Sequence, residues 1–72
     1  MGKRKMQLTN SIAALRAARG ITQQQLAEQV GVTRQTINAI EANKYSPSLE
    51  VAFLIAHSLQ APLDTVFGYV EP

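Results

Sequence analysis

The stretch GVTRQTINAIEANK, residues 31–44, combines an apolar stripe with a polar face at helical spacing. Thr33 has the hydroxyl group that helix N-caps favour, and Ile37 and Ile40 follow at a spacing that places both on one side of a helix. Asn43 stands where helices often end on a left-handed residue, a conformation that asparagine tolerates better than most residues. The pattern predicts a short amphipathic helix between Thr33 and Asn43.

A second predicted helix, residues 23–29, ends just before this stretch. Thr22 and Gln25 have the spacing of a capping box, in which each side chain bonds to the backbone N–H of the other residue. Gly31 and the residue after it leave only a short turn before the next cap. Two helices joined by so short a turn cross steeply, which is the helix-turn-helix arrangement.

Three further helices are predicted around this pair, and no alternating pattern is long enough to indicate a strand. The first is capped by Asn10 or Ser11 and ends at Gly20. The fourth is capped by Ser48 and ends near Leu59, and the fifth starts at Pro62 and ends at Phe67, before Gly68. The expected fold is an all-α, compact five-helix bundle. We expect a basic arm at residues 1–9, a helix-turn-helix domain at 10–68 with the motif at about 22–42, and a short tail at 69–72.

The fourth predicted helix is more apolar than a surface helix needs to be. Its expected core face is Leu49, Ala52, Phe53, Ile55, Ala56 and Leu59. The apolar residues outside this face are covered by the last helix or the tail, or they form a homodimer patch, and we favour the patch. The predicted patch consists of Val51, Leu54, Leu63, Val66, Phe67 and Tyr69.

Composition narrows the class of protein. The 72 residues include no cysteine, which excludes disulfides and cysteine metal sites. The single histidine, His57, has no cluster of carboxylates near it that could complete a zinc site. The longest apolar run, residues 51–56, is far too short to span a membrane. We therefore expect a soluble cytoplasmic domain with no metal, cofactor or membrane partner. Catalysis is not expected, because His57 has no acidic residue within one helical turn.

Charge is distributed unevenly along the chain. All seven Lys and Arg residues precede Tyr45, whereas Glu50, Asp64 and Glu71 follow it without any base. This asymmetry predicts a polyanionic partner on one side of the domain. The basic residues of the arm either follow a phosphate backbone, reach into a minor groove, or only aid solubility; they are Lys3, Arg4 and Lys5.

The polar face of the third predicted helix fits double-stranded DNA. Arginine forms bidentate hydrogen bonds with guanine, glutamine and asparagine do so with adenine, and a methyl group contacts thymine. The candidate base-contacting residues are Arg34, Gln35 and Asn38, with Thr36 and Ala39 beside them. The candidate phosphate-contacting residues on the residue pattern alone are Gln23, Thr33, Lys44 and Tyr45.

Residues 21–59, ITQQQLAEQVGVTRQTINAIEANKYSPSLEVAFLIAHSL, resemble the helix-turn-helix of the phage repressor/Cro superfamily, also called the XRE family. The paired caps, the turn glycine, RQTI and PSL all keep the spacing of small stand-alone bacterial regulators. The likeness extends over about residues 12–67. It departs from the family at Asn43, where glycine is usual, and at Pro62, where a serine-type cap is usual.

The resemblance implies a lambda-repressor-like fold with the second helix against the DNA backbone and the third in the major groove. It adds Asn43 to the phosphate contacts and pairs Arg16 with Glu41 as a structural ion pair. The expected function is a homodimeric, sequence-specific transcriptional regulator, a repressor on a palindromic operator in the bacterial nucleoid. The alternative is an antitoxin-type domain that mainly sequesters a partner protein.

Overall fold

Five helices and a two-stranded sheet make up the part of the chain that the computed structural model describes, residues 6–71. The elements in chain order are β1 (Gln7–Asn10), α1 (Ile12–Arg19), α2 (Gln23–Val30), α3 (Arg34–Glu41), α4 (Leu49–Leu59), α5 (Leu63–Val66) and β2 (Phe67–Val70). α2 and α3 pack against each other across a three-residue turn and form the predicted helix-turn-helix.

Local side-chain caps set the helix starts. Thr22 Oγ1 accepts a hydrogen bond from Gln25 N–H at 3.0 Å, and Gln25 Oε1 accepts one from Thr22 N–H at 2.9 Å, which confirms the capping box. Thr33 Oγ1 caps α3 by accepting from the N–H of Thr36 at 3.1 Å, and Ser48 caps α4 in the same way. These oxygens satisfy N–H groups that have no partner inside their helices.

One apolar core holds the helices together. α3 contributes Ile37 and Ile40, both almost fully buried, and α2 contributes three neighbouring residues. The core consists of Ile12, Leu26, Ala27, Val30, Ile37, Ile40, Ile55, Ala56, Leu59 and Val66. Because both isoleucines of α3 point into this core, the opposite side of that short helix faces outward.

The predicted core face of α4 is partly wrong. Leu49 and Phe53 were expected inside, yet they are 70% and 54% exposed. The buried stripe is Ala52, Ile55, Ala56 and Leu59, with half-buried Val51 packed beside it. The helix is therefore rotated from the predicted orientation. α4 is apolar on nearly every side, so its periodicity alone did not determine which side faces the core.

The all-α prediction is wrong at the two ends of the domain. β1 and β2 pair antiparallel, with Leu8 opposite Tyr69 and Thr9 opposite Gly68. The strands take residues that the sequence assigned to the basic arm, the last helix and the tail, so Gly68 lies within β2 instead of ending α5. Each strand has only four residues, too few for an alternating pattern to stand out.

None of the helices within residues 6–71 is both long enough and apolar enough to cross a membrane.

We predict that Gly68→Ala destabilises the domain through a clash across the sheet. A Cβ atom at Gly68 would lie 2.7 Å from Thr9 Oγ1, closer than van der Waals contact permits. We expect the free energy of unfolding to fall by about 1–2 kcal/mol, as for other overpacked sites, when measured by urea denaturation. In a Thr9→Ala background the same substitution should cost little, because the clashing oxygen is gone. An equal loss in both backgrounds would contradict the Thr9–Gly68 register.

Candidate nucleic-acid interface

α3 presents a row of polar side chains to solvent. Arg34, Gln35 and Asn38 are all exposed, whereas Ile37 and Ile40 of the same helix are buried. We call these three exposed side chains the reading face. They carry a guanidinium fork and two carboxamides, and these groups can donate and accept hydrogen bonds in a planar, paired geometry. Within residues 6–71, none of these three side chains forms a hydrogen bond or ion pair that holds the fold.

Two predicted contact residues lie beside the reading face at the edge of the core. Thr36 and Ala39 are half-buried, and the Thr36 hydroxyl lies 3.0 Å from that of Thr33. The Thr36 hydroxyl thus contributes to the cap of α3. A shallow depression here brings predicted base and phosphate contacts together; its lining residues are Thr33, Gln35, Thr36, Ala39 and Tyr45.

The turn after α3 carries three predicted phosphate contacts. Asn43 adopts the expected left-handed conformation with φ 59°, and its Oδ1 accepts a hydrogen bond from Asn10 Nδ2 at 2.8 Å. Lys44 donates its backbone N–H to Ala39 O at 2.9 Å, which closes the end of the helix. The side chains of Lys44 and Tyr45 are exposed. The turn therefore carries an exposed cation and an exposed phenol, and the phenol shares a depression with Gln35 of the reading face.

A second shallow depression lies at the start of α2. Gln23, the first residue of that helix, is half-buried, and its Nε2 donates to Glu41 Oε1 at 3.1 Å. Arg34 borders the same depression, so a cation and the N-terminal N–H groups of α2 lie close together. Its lining residues are Arg16, Ala17, Gly20, Ile21, Thr22, Gln23, Gln24 and Arg34.

Arg16 and Glu41, the pair that the family resemblance implied, form an ion pair. Arg16 Nε donates to Glu41 Oε2 at 2.7 Å and Nη2 donates to Oε1 at 3.1 Å, a bidentate geometry. A third bond runs from Nη1 to Ile21 O at 3.0 Å. The side chains are only 17% and 11% exposed. The hydrogen bond to Glu41 raises the pKa of Arg16 above its ordinary value, against the lowering effect of burial.

Asn10 is a residue whose role the sequence analysis missed. It was considered only as a cap for the first helix, and its Oδ1 does accept from Ile12 N–H at 3.1 Å. Its Nδ2 also reaches Ile40 O at 3.1 Å and Glu41 O at 3.3 Å, at the far end of α3. The cap signal was visible in the sequence, but nothing local indicated partners about thirty residues away.

The predicted dimer patch is only partly at the surface. Val66 is fully buried and Val51 packs against the core, so Val66 cannot contact a partner and was wrongly included. Leu54 and Tyr69 are exposed, and Leu63 and Phe67 are half-buried. Leu63 and Phe67 line two adjoining apolar depressions. We call the large apolar side chains around these depressions the apolar face; they are Leu8, Leu49, Phe53, Leu63, Phe67 and Tyr69.

The remaining predicted site residues lie outside the described part of the chain, namely Lys3, Arg4 and Lys5. Within residues 6–71, no group of three or more His, Cys, Asp or Glu side chains is placed to hold a metal ion.

Comparison with known proteins points to one family. The sequence model described as Helix-turn-helix matches residues 12–66. An HTH-type transcriptional regulator of Methanocaldococcus jannaschii is 44% identical over 64 residues, or 89% of this chain and 97% of the relative. The regulator YgzD of Bacillus subtilis is 43% identical with the same coverage. The crystal structure of the transcriptional regulator VanUg superposes with a TM-score of 0.79 at 19% identity, covers 100% of this chain and 96% of that one, and supports the fold alone.

We predict that Arg16→Met strongly destabilises the domain. The substitution leaves the Glu41 carboxylate, only 11% exposed, without its cationic partner. The free energy of unfolding should fall by about 3 kcal/mol, near the lower end of the range for broken buried pairs, since some solvent still reaches the site.

Arg19→Met is the matched control, because Arg19 is exposed at the end of the same helix and the charge change is identical. Its effect should stay within about 0.5 kcal/mol in the same urea titration. Similar losses in the two variants would show that the Arg16–Glu41 pair contributes little to stability.

Proposed function

The chain belongs to the XRE-type helix-turn-helix family of DNA-binding transcriptional regulators, and from this premise we propose that α3 reads a specific sequence in the major groove. This family binds DNA and does not catalyse reactions, in agreement with the expectation that the chain is not an enzyme. The observation that carries the proposal is the reading face itself. Arg34, Gln35 and Asn38 are exposed together on a helix whose apolar side is held in the core.

The chemistry of the reading face matches base edges. An α-helix fits the major groove, where each base pair shows a distinct pattern of donors and acceptors. The Arg34 guanidinium suits the O6 and N7 acceptors of guanine, and the amides of Gln35 and Asn38 suit the N6 and N7 of adenine. Ala39 and the methyl group of Thr36 would supply apolar contact to thymine.

Phosphate contacts would come from both ends of the helix pair. Lys44, Tyr45 and Thr33 are exposed next to the reading face, and Asn43 lies in the same turn. At the start of α2, Gln23 gives one amide hydrogen to Glu41, which leaves the other for a phosphate beside the helix N-terminus. Contacts at both ends would fix the angle at which α3 enters the groove.

We expect the protein to act as a homodimer that joins through the apolar face. Leu49, Phe53 and Tyr69 are all more than half exposed, a clustering that monomeric surfaces rarely show. A two-fold dimer would place two reading helices about 34 Å apart and require a palindromic operator. Repression follows most simply, because occupancy alone blocks polymerase whereas activation needs a further contact with it.

Selection of bound duplexes from a random pool tests the proposal directly. The expected result is a single enriched motif, an inverted repeat with half-sites about one helical turn apart. Enrichment of no motif would refute sequence-specific reading. A single unpaired half-site would refute the dimeric operator but leave the reading face intact.

We predict that Gln35→Ala weakens binding to the selected operator by about 1–3 kcal/mol and leaves binding to a scrambled duplex unchanged, because a base contact is sequence-specific. Fluorescence anisotropy titrations at fixed salt provide the measurement. Gln35 is exposed, and its side chain makes no hydrogen bond to the described residues that supports the fold, so stability should not change.

Lys44→Ala is the contrasting control for this prediction. Its exposed ammonium would contact phosphate, so binding to both duplexes should weaken by the same factor. The slope of log K against log salt concentration should become less steep by about one. If Gln35→Ala weakened both duplexes alike, its proposed role in base reading would be wrong.

We predict that Phe53→Glu converts the dimer to a monomer without unfolding it. The ring is 54% exposed, so its replacement should lower the free energy of unfolding only slightly. A carboxylate on the apolar face would have to be desolvated in the dimer, which opposes association. Sedimentation equilibrium at micromolar concentration measures the change. Tyr45→Glu, with the same 54% exposure of an aromatic ring outside the apolar face, should remain dimeric. A monomeric wild type would contradict the homodimer and favour a different protein as the partner of this face.

A further inference from the structure

The Asn10 side chain connects the N-terminal strand to the far end of the reading helix. Asn10 is the last residue of β1, where it pairs with Phe67 of β2. Its Oδ1 accepts from Ile12 N–H at 3.1 Å and so caps α1, a role that Ser11 does not fill with its own side chain. Its Nδ2 points the other way, to the end of α3. One carboxamide thus serves two helices.

The C-terminal carbonyls of α3 show how much depends on this amide. Asn38 O and Ala39 O accept backbone hydrogen bonds from Ala42 and Lys44, and Ile40 O accepts one from Asn43. Among the described residues, the donor that reaches the last carbonyl, Glu41 O, is Asn10 Nδ2 at 3.3 Å. The same nitrogen lies 3.1 Å from Ile40 O. The last carbonyl groups of a helix have no donor within the helix, and Asn10 supplies the donor for the last one of α3.

The same amide also holds the turn that follows α3. Its shortest contact is to Asn43 Oδ1, at 2.8 Å. Asn43 is the left-handed residue that turns the chain toward Lys44 and Tyr45. Because the backbone direction of a turn depends on this residue, a bond to its side chain restrains the turn that leads to Lys44 and Tyr45.

We propose that Asn10 is a positioning residue for DNA reading, which sets α3 and the turn after it at the angle that the groove requires. This inference rests on the proposed function of α3. Asn10 acts through other residues, since its amide is committed to protein acceptors. α3 packs mainly on α2, Arg16 ties its end to α1, and the Asn10 amide ties the same end to β1. A small tilt of a recognition helix moves its base contacts out of hydrogen-bond range.

Asn10→Ser separates the two roles of the side chain. A serine hydroxyl can still accept from Ile12 N–H, because serine and asparagine are both good helix caps. It is too short to reach α3 and it adds no charge, so general attraction to DNA is unaffected. We expect affinity for the selected operator to fall roughly fivefold, the loss of about one net hydrogen bond, while affinity for a scrambled duplex stays within about twofold.

Ile55→Val provides the matched control. It removes one methyl group from a fully buried site on α4 and so lowers the stability of the fold without touching Asn10 or its partners. Both variants are compared at a temperature where both are fully folded. If Asn10 only stabilised the fold, the two variants would show the same ratio of operator to scrambled affinity. An unchanged ratio in Asn10→Ser overturns the proposal.

Hydrogen exchange of the DNA-free protein gives a second, independent readout. Asn10→Ser should lower the protection of the Asn43 and Lys44 N–H groups at least severalfold, and should spare the Gly31 N–H, which bonds to Ala27 O at the end of α2. Unchanged protection at Asn43 and Lys44 also overturns the proposal. A wild type that selects no duplex would refute the proposed function instead, and exchange would still decide whether Asn10 holds the end of α3.

Discussion

The guanidinium of Arg16 joins three helices at one point, and the position of α3 depends on this junction. From α1 it donates twice to Glu41 at the end of α3 and once to Ile21 O in the turn before α2. Gln23 of α2 donates to the same carboxylate. The cation, the carboxylate and the amide therefore satisfy one another where water hardly reaches, which is what makes a mostly buried ion pair tolerable.

A helix as short as α3 cannot be stable by itself, since isolated helices below about 12–15 residues are marginal in water. It has one cap at its start and two isoleucines in the core, and its end is held by Arg16 and Asn10. All these ties lie on the inner side or at the ends of the helix. Among residues 6–71, the side chains of Arg34, Gln35 and Asn38 therefore do not hold the helix in place, and the proposed contacts with bases require side chains that are available in this way.

Local signals in the sequence predicted much of this arrangement. The caps at Thr22, Thr33 and Ser48 act over three residues, and the left-handed Asn43 is a property of one residue, so each could be identified without knowing the fold. The exposure of the reading face followed from the buried isoleucines beside it. The Arg16–Glu41 pair did not follow from local signals; it came from resemblance to a family, because no local rule connects residues in different helices.

What could not be predicted depends on contacts between distant segments. Packing against the rest of the core set the rotation of α4, and this rotation exposed Phe53 on the apolar face. The strands pair the two ends of the described chain, so neither strand could be recognised alone. That pairing also bears on the proposed function, because β1 carries Leu8 on the apolar face and Asn10 against α3. β1, the element that was hardest to foresee, therefore contributes to the apolar face and also contacts the end of α3.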